Sequence, residues 1–580
     1  MNPSTSRFIA IEAQQGAVRQ IVKLPCSRQV GNLPGVAWFS RRVIRHLLLA
    51  SLLLIAAGTA RAADAPARPN IAIILVDDMG FSDIGCYGSE IPTPNLDNLA
   101  AGGLRFTQFY NTARCCPTRA SLLTGLYPHQ AGVGHMTEDR GEDGYRGDLN
   151  NRCVTIAEVL RAAGYRTAMT GKWHVTKFVN PPNDEQKFNW PRQRGFEHYF
   201  GIIQGGADYF HPYPLTCENE HVQPGAGFYT TDAFVDNAIR FVDTGDQTKP
   251  FFLYLAFNAP HFPLMAPQEE IATFRGKYAA GWDRLRERRH AKQIELGVVD
   301  EAWALSPRPP AVKPWADLTP AEQDRFDHIM AIYAAVVAHM DRAVGRFVTA
   351  LRERKVLDNT LILFLSDNGA NAESGPNGRL EGNVPGATKS VVFEGQSWAT
   401  LSNTPLRRYK HFNHEGGIAT PLIVHWPEHV KTPGRLRKQP GHLVDIMATC
   451  VDVAGAKYPA EFRGQPILPM EGKSLMPALD NRPIQRDALY WEHEGNAAIR
   501  VGDWKLVRLG YGGPWELYDL KIDRTELHDL AAAKPQLVCA LAAKWDAWAQ
   551  RTHVKPYPND GSKKNGKGKN GKLKVHHPGQ

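Results

Sequence analysis

The sequence predicts an α/β fold, a mostly parallel sheet sandwiched by helices, followed by a small C-terminal α+β unit. Three observations carry this. Apolar runs at residues 70–76, 251–257 and 360–365 are nearly continuous, as in strands covered on both faces. Before the third run lies a long helix with apolar residues at Ile329, Ile332, Val336, Met340, Val344, Phe347 and Leu351. After residue 488 the texture turns to short alternating segments spaced as an antiparallel meander.

A chain of 580 residues has room for one large and one small domain. Its formal net charge of +9 sits at the ends, with about +7 in residues 1–62 and about +6 in residues 561–580. The body is left mildly acidic, which argues against nucleic acid as a partner. At the front, Arg41, Arg42 and Arg45 precede an apolar run at 47–57, and Ala60-Arg61-Ala62 forms a cleavage site. The run is too short for a stable membrane span. A signal peptide is expected, behind an N-terminal extension (1–40) that reads as the product of a misplaced start. The protein is then exported, periplasmic or secreted, with its mature chain beginning near Ala63. The expected divisions are 1–62 for extension and signal, 63–480 for a catalytic domain, 481–555 for an α+β subdomain and 556–580 for a disordered Lys-rich tail. Export permits disulfides, but the scattered Cys86, Cys115, Cys116, Cys153, Cys217, Cys450 and Cys539 specify no pairing, and none has zinc-ligand spacing.

In chain order, the first strand (70–76) ends in Asp77-Asp78. Ligand sites of open α/β sheets lie beyond the carboxyl ends of strands, so two carboxylates there suit a hard cation. A helix is expected at 93–100. The stretch Cys115-Cys116-Pro117-Thr118-Arg119 starts another, with Pro117 suited to a first turn and Gly125 to a stop. Cys115 thus sits at an anion-favouring helix N-terminus with Arg119 one turn on. A helix at 154–163 and a short strand at 166–170 lead to Gly171-Lys172-Trp173-His174, where alternation would point Lys172 and His174 to one side. Residues 195–231 are rich in Gly, Tyr, His and Pro and read as a binding loop. Its Tyr209, Phe210, His211 and Tyr213 suit a sugar or aryl ring. The strand at 251–257 delivers His261 past its end. Residues 270–318 read as a charged surface insertion. Thr319-Pro320-Ala321-Glu322 is a capping box opening the long helix. The strand at 360–365 ends in Ser366-Asp367-Asn368-Gly369, a second strand end bearing oxygen ligands. Residues 370–404 read as loop, and lead to Lys410 and Glu415-Gly416-Gly417. A strand at 421–425, a helix at 441–453, a linker at 463–476, the meander (488–492, 497–501, 504–508, 515–519) and a helix at 534–549 complete the chain.

The Cys115-x-Pro117-x-Arg119 stretch with Leu123-Thr124-Gly125 resembles the sulfatase signature. Further matches follow in the family's order: Asp77-Asp78, Gly-Lys172-Trp-His174, Ala-Pro-His261, Asp367-Asn368-Gly, and Lys410 five residues before Glu415-Gly-Gly. From Asn70 to about Arg551 the chain is similar to type I sulfatases of the alkaline-phosphatase-like superfamily, arylsulfatases in particular. The resemblance implies a large mixed sheet and a C-terminal sheet of four strands with one helix. It also implies that Cys115 is oxidised to formylglycine by a maturation enzyme, and that one Ca²⁺ per subunit is held by Asp77, Asp78, Asp367, Asn368 and the modified Cys115. Lys172 and Lys410 then neutralise the sulfate, Arg119 and His174 hold and deprotonate the nucleophile, and His261, with Lys410, serves the leaving alcohol. The implied substrate is a sulfated small molecule or polysaccharide. Thr118 stands where many members have Ser, and Cys116 has no role by this reading. Two other readings are open: a phosphonate or phosphodiester hydrolase on the same fold, and a secreted protein that binds sulfated glycans without cleaving them.

Overall fold

In the computed structural model the described residues are 68–558. The expectations for the N-terminal extension, the signal segment and the tail beyond 558 lie outside them. Seven strands carry the main sheet: β1 (Asn70–Val76), β2 (Leu104–Tyr110), β3 (Arg166–Lys172), β4 (His198–Ile202), β5 (Phe251–Ala256), β6 (Thr360–Ser366) and β7 (Ala419–His425). They lie in the order β2-β7-β6-β1-β5-β3-β4, and short edge strands bring the sheet to 11. All neighbours from β6 to β4 pair in parallel, whereas β7 is antiparallel to both β2 and β6. The sheet is mixed and mostly parallel.

Register sets where the chemistry emerges. Val76 lies opposite Ser366, Leu75 and Gly171 lie opposite Ala256, and Lys172 lies opposite Ile202. The carboxyl ends of β1, β3, β5 and β6 are therefore level, and the residues after them come out at one edge.

Both sheet faces are covered. Its helices include α1 (Cys115–Thr124), α2 (Thr230–Asp243), α3 (Gly281–Glu295), α4 (Pro320–Glu353), α5 (Gly395–Ser402), α6 (Val444–Val453) and α7 (Pro535–Arg551). Side chains of a strand alternate between faces. Ile71, Ile73 and Leu75 pack with Leu122 and Leu123 of α1 and Ile446 and Met447 of α6. Ala72, Ile74 and Val76 pack with Phe234 and Val235 of α2 and the apolar stripe of α4. The Thr319–Glu322 capping box opens α4 as its sequence requires.

The C-terminal meander is β8 (Leu489–His493), β9 (Asn496–Val501), β10 (Trp504–Arg508) and β11 (Trp515–Asp519), antiparallel in sequence order. α7 lays Leu541, Trp545 and Trp548 on Ala497, Ile499, Leu506 and Leu517. A buried ionic knot ties this sheet to the Glu-Gly-Gly turn. Lys505 Nζ lies 2.8 Å from carboxylates of both Glu415 and Glu526, and Arg524 Nε lies 2.8 Å from Glu415.

The structure corrects several expectations. Residues 270–318 are not a surface insertion: α3 buries Trp282, Arg286, Arg289 and Gln293. Arg289 can be buried because Asp83 and Glu90 each meet it at 2.8 Å. Residues 370–404 hold a hairpin (Arg379–Glu381 with Val391–Phe393) and the buried α5. β2 and α2 are not among the expected elements, although α2 sets Phe234, Val235, Ala238, Phe241 and Val242 at helical spacing. Tyr557, near the end of the described residues, packs edge-on against Tyr511. The seven cysteines among the described residues are free thiols. No helix among the described residues is long and apolar enough to cross a membrane.

Candidate active site

The level strand ends bring together Asp77, Asp78, Cys115, Arg119, Lys172, His174, His261, Asp367, Asn368 and Lys410, all buried. Cys115 begins α1, every residue of which is buried. Thr118 anchors this helix start: its hydroxyl donates to the Asp367 carbonyl at 2.6 Å and lies 2.9 Å from the Thr112 hydroxyl. One turn in, Arg119 donates from Nη1 to the Lys172 carbonyl (2.9 Å) and from Nη2 to Asp367 Oδ2 (2.8 Å). One guanidinium thus links α1 to the ends of β3 and β6.

Lys172 Nζ donates to Asp77 Oδ2 at 2.6 Å. Its neighbour His174 reaches the site by a route other than strand alternation. β3 stops at Lys172, and His174 adopts φ +55° while its N–H still pairs with the Ile203 carbonyl. The kink places His174 Nε2 3.2 Å from Cys116 Sγ, beside Cys115. Gly205 makes room for the ring, since a Cβ there would lie 2.4 Å from His174 Nε2.

Asp78, also at positive φ (68°), is the most crowded acceptor. Lys410 Nζ lies 2.7 Å from Oδ1, Asn368 Nδ2 donates to Oδ1 at 2.7 Å, and Asn371 Nδ2 donates to Oδ2 at 2.7 Å. His261 Nε2 stands 3.6 Å from Oδ2. The Glu-Gly-Gly turn allows Lys410 this reach, because a Cβ on Gly416 would come within 2.2 Å of the Arg408 carbonyl.

The electrostatics divide these groups. Burial pushes the Asp77 and Asp367 carboxyls up, Asp367 to about 8, against the pull of Lys172 and Arg119. Burial opposes ionisation of Asp78 as well, but Lys410 and His261 outweigh it and hold it at about 2. Burial lowers both His174 and His261 to about 4, so both are neutral near pH 7. A hydrogen bond from Cys116, opposed by burial and reinforced by Lys172, draws the Cys115 thiol well below its ordinary range.

The donor set fits a hard cation. Asp77 Oδ1 and Asn368 Oδ1 are buried oxygens that accept no hydrogen bond. Ligand atoms of Asp77, Asp78 and His261 lie within 4.8 Å of one another. Carboxylate and amide oxygens are the ligands Ca²⁺ prefers, and a dication here would favour the charged Asp77 and Asp367 carboxylates that burial disfavours.

Some site residues escape sequence reasoning. Asn371, three residues past Asn368, had only its place in a Gly/Ser/Asn-rich stretch to mark it. Tyr209 was expected at a substrate ring but is fully buried. Its hydroxyl instead lies 2.8 Å from the His261 carbonyl and 3.0 Å from that of Asn258, bracing the turn that presents His261. His211 is exposed, and the expected binding loop is clasped to the 370–404 segment through Thr388, which meets both Asp208 (2.8 Å) and His211 (3.2 Å).

Comparison with known proteins gives the family. Residues 69–456 match the Sulfatase family model, and residues 408–545 match that of the N-sulphoglucosamine sulphohydrolase C-terminal region. An arylsulfatase of Klebsiella aerogenes is 35% identical over 458 residues, covering 74% of this chain and 96% of its own. An uncharacterized sulfatase of Schizosaccharomyces pombe is 33% identical over 540 residues, covering 85% and 95%. The crystal structure of Ps i-CgsB superposes with a TM-score of 0.63 at 29% identity, over 84% of this chain and 94% of that one. The chain belongs to the sulfatase family, as a type I sulfatase and a sulfuric ester hydrolase.

Proposed function

We propose that this enzyme hydrolyses aryl or carbohydrate sulfate esters to the alcohol and inorganic sulfate, using formylglycine made from Cys115 and one bound Ca²⁺. The observation that carries this is the placement of Cys115 at the start of a buried helix, its sulfur within 4.8 Å of a His174 ring nitrogen, in the same buried site as Lys172 and Lys410, which pair with the carboxylates of Asp77 and Asp78.

The hydrated formylglycine supplies two geminal hydroxyls, one to attack sulfur and one whose collapse to the aldehyde expels sulfate. Ca²⁺, when bound by Asp77, Asp78, Asp367, Asn368 and residue 115, supplies positive charge against the sulfate oxygens. The remaining work falls to the chain's own side chains. Lys172 and Lys410 each have an Nζ in the site, and charge there stabilises the oxygens as negative charge develops. His174, neutral and beside residue 115, takes the proton of the attacking hydroxyl. His261, 3.6 Å from Asp78, gives a proton to the departing alcohol once Asp78 and the bound sulfate together favour its protonated form against burial. Arg119 holds α1 and the Asp367 carboxylate in register. The chain is exported, by the signal read at 41–62, and a maturation enzyme oxidises Cys115.

The test pairs mass with turnover. The tryptic peptide ending at Arg119, from protein of the native host, is expected to carry an aldehyde in place of the Cys115 thiol. The same preparation should cleave an aryl sulfate far faster than the corresponding phosphate mono- and diesters. An intact thiol in active enzyme, or faster phosphodiester cleavage, would refute the proposal.

A further inference from the structure

Beside the sulfate-facing groups, three side chains from two distant segments meet. His411 follows Lys410 directly, and His493-Glu494 lie at the turn between β8 and β9. Glu494 Oε2 is 3.1 Å from His411 Nδ1, and Glu494 Oε1 is 3.8 Å from His493 Nε2. One ligand atom from each of the three lies within 4.8 Å of the other two. A fourth group adjoins them: His135 Nε2 is 3.0 Å from Glu494 Oε1.

His493 is the telling member. It is fully buried, yet neither ring nitrogen has a hydrogen-bond partner. Buried polar groups are normally satisfied, and one that is not calls for an explanation such as an ion. Packing does not supply it, because the flanking rings are themselves imidazoles, those of His135 at 5.7 Å and His411 at 5.8 Å between centroids. Burial also keeps His493 neutral, the form in which imidazole binds metals.

We propose that His411, His493 and Glu494, with His135 as the adjoining fourth ligand, form a second metal site, for Zn²⁺ or a similar borderline transition-metal dication. Three imidazoles and one carboxylate are a zinc-type set, unlike the oxygen set around Asp77. Ligands about 2.0–2.1 Å from a tetrahedral Zn²⁺ are about 3.3 Å apart, and the separations here bracket that value. An outer shell is in place as well. The remaining nitrogen of His411 lies 2.8 Å from Glu373 Oε1, the carboxylate–histidine pairing that orients metal ligands, and also touches the Arg114 guanidinium. Glu373 also pairs with Arg114 (2.6 Å), which precedes Cys115, and stands 3.6 Å from Lys410. The two segments are already stitched by side-chain amides, Asn496 Nδ2 donating to the His411 carbonyl (3.0 Å) and Asn413 Nδ2 to the Asn496 carbonyl (2.8 Å). A metal there would clamp the Lys410 segment to the C-terminal sheet.

The full-length enzyme, stripped with chelator and saturated with Ca²⁺, is titrated with Zn²⁺ by calorimetry and with Co²⁺ by visible absorption. One Zn²⁺ per chain is expected beyond the bound Ca²⁺, with tetrahedral Co²⁺ bands. His411→Ala and Glu494→Gln, which alter partly exposed side chains and spare the buried His493, should each weaken Zn²⁺ at least tenfold. Cys116→Ala and Asp78→Asn should leave the zinc affinity unchanged, separating this site from the thiols and the oxygen-rich site. No zinc beyond Ca²⁺, zinc retained at full affinity by both His411→Ala and Glu494→Gln, or zinc lost with Cys116→Ala or Asp78→Asn would overturn the proposal.

Discussion

Nη2 of Arg119 lies 2.8 Å from Oδ2 of Asp367, and both side chains are wholly buried. Replacing Arg119 with Lys keeps one charge but cannot serve Asp367 and the Lys172 carbonyl together, because an ammonium lacks the guanidinium fork. Arg119→Lys should lower kcat/KM by about 100-fold, equivalent to about 3 kcal/mol. It should also cost about 3 kcal/mol of stability, the lower end for a broken buried pair. Steady-state kinetics and urea unfolding check the two effects separately.

Metal content offers a second check. The wild-type enzyme should hold one Ca²⁺ per chain, measured by elemental analysis after exhaustive dialysis. Asp78→Asn should lose the ion, since the site loses a carboxylate ligand and Lys410 its partner. Chelation of the wild type should abolish turnover, and added Ca²⁺ should restore it.

Tyr209 acts on His261 through backbone carbonyls, so its loss should be indifferent to substrate. Tyr209→Phe is expected to lower kcat about tenfold on every sulfate ester, with KM unchanged. His211→Ala, at the exposed rim, should instead alter KM unequally among esters. A panel of aryl and sugar sulfates distinguishes the patterns.

His339 on α4 sits between Glu270 (2.8 Å) and Asp232 (3.0 Å). Burial disfavours its charged form, but hydrogen bonds and charge from these carboxylates outweigh that and push it up to about 9. Its folded value lies above its unfolded one, so the stabilisation is fully present below about pH 6.5 and is lost as pH rises through 9. After allowance for the half-exposed Asp232, the contribution is about 2 kcal/mol. Wild-type thermal stability should fall between pH 7 and 9.5 more steeply than that of His339→Gln.

Much of the site could be read from the chain because its residues follow strand ends. Asp77, Asp367 and His261 come just after runs so apolar that their strands announce themselves, and level register does the rest. Other features depend on neighbours far away in sequence. In α3, Arg286 and Arg289 sit among Arg and Glu residues that read as a solvated face, and only Asp83 and Glu90 make the burial of Arg289 tolerable. β2 mixes Arg105, Thr107 and Gln108 with its apolar residues, and its strand character comes from β7 and the edge strands beside it. Tyr209 looked like a binding aromatic because composition cannot tell a ring facing substrate from one wedged beneath it.

The burial of α1 sets a deadline. An oxidising enzyme has to reach the Cys115 thiol, and the folded protein buries it together with every residue of α1. Conversion, as proposed, is then an event of the nascent or translocating chain, and a cysteine that survives into the folded state stays one. The active fraction of a preparation therefore records a race between two clocks, oxidation and folding. Overproduction that outruns the modifying enzyme would fill a cell with well-folded, stable and permanently silent copies.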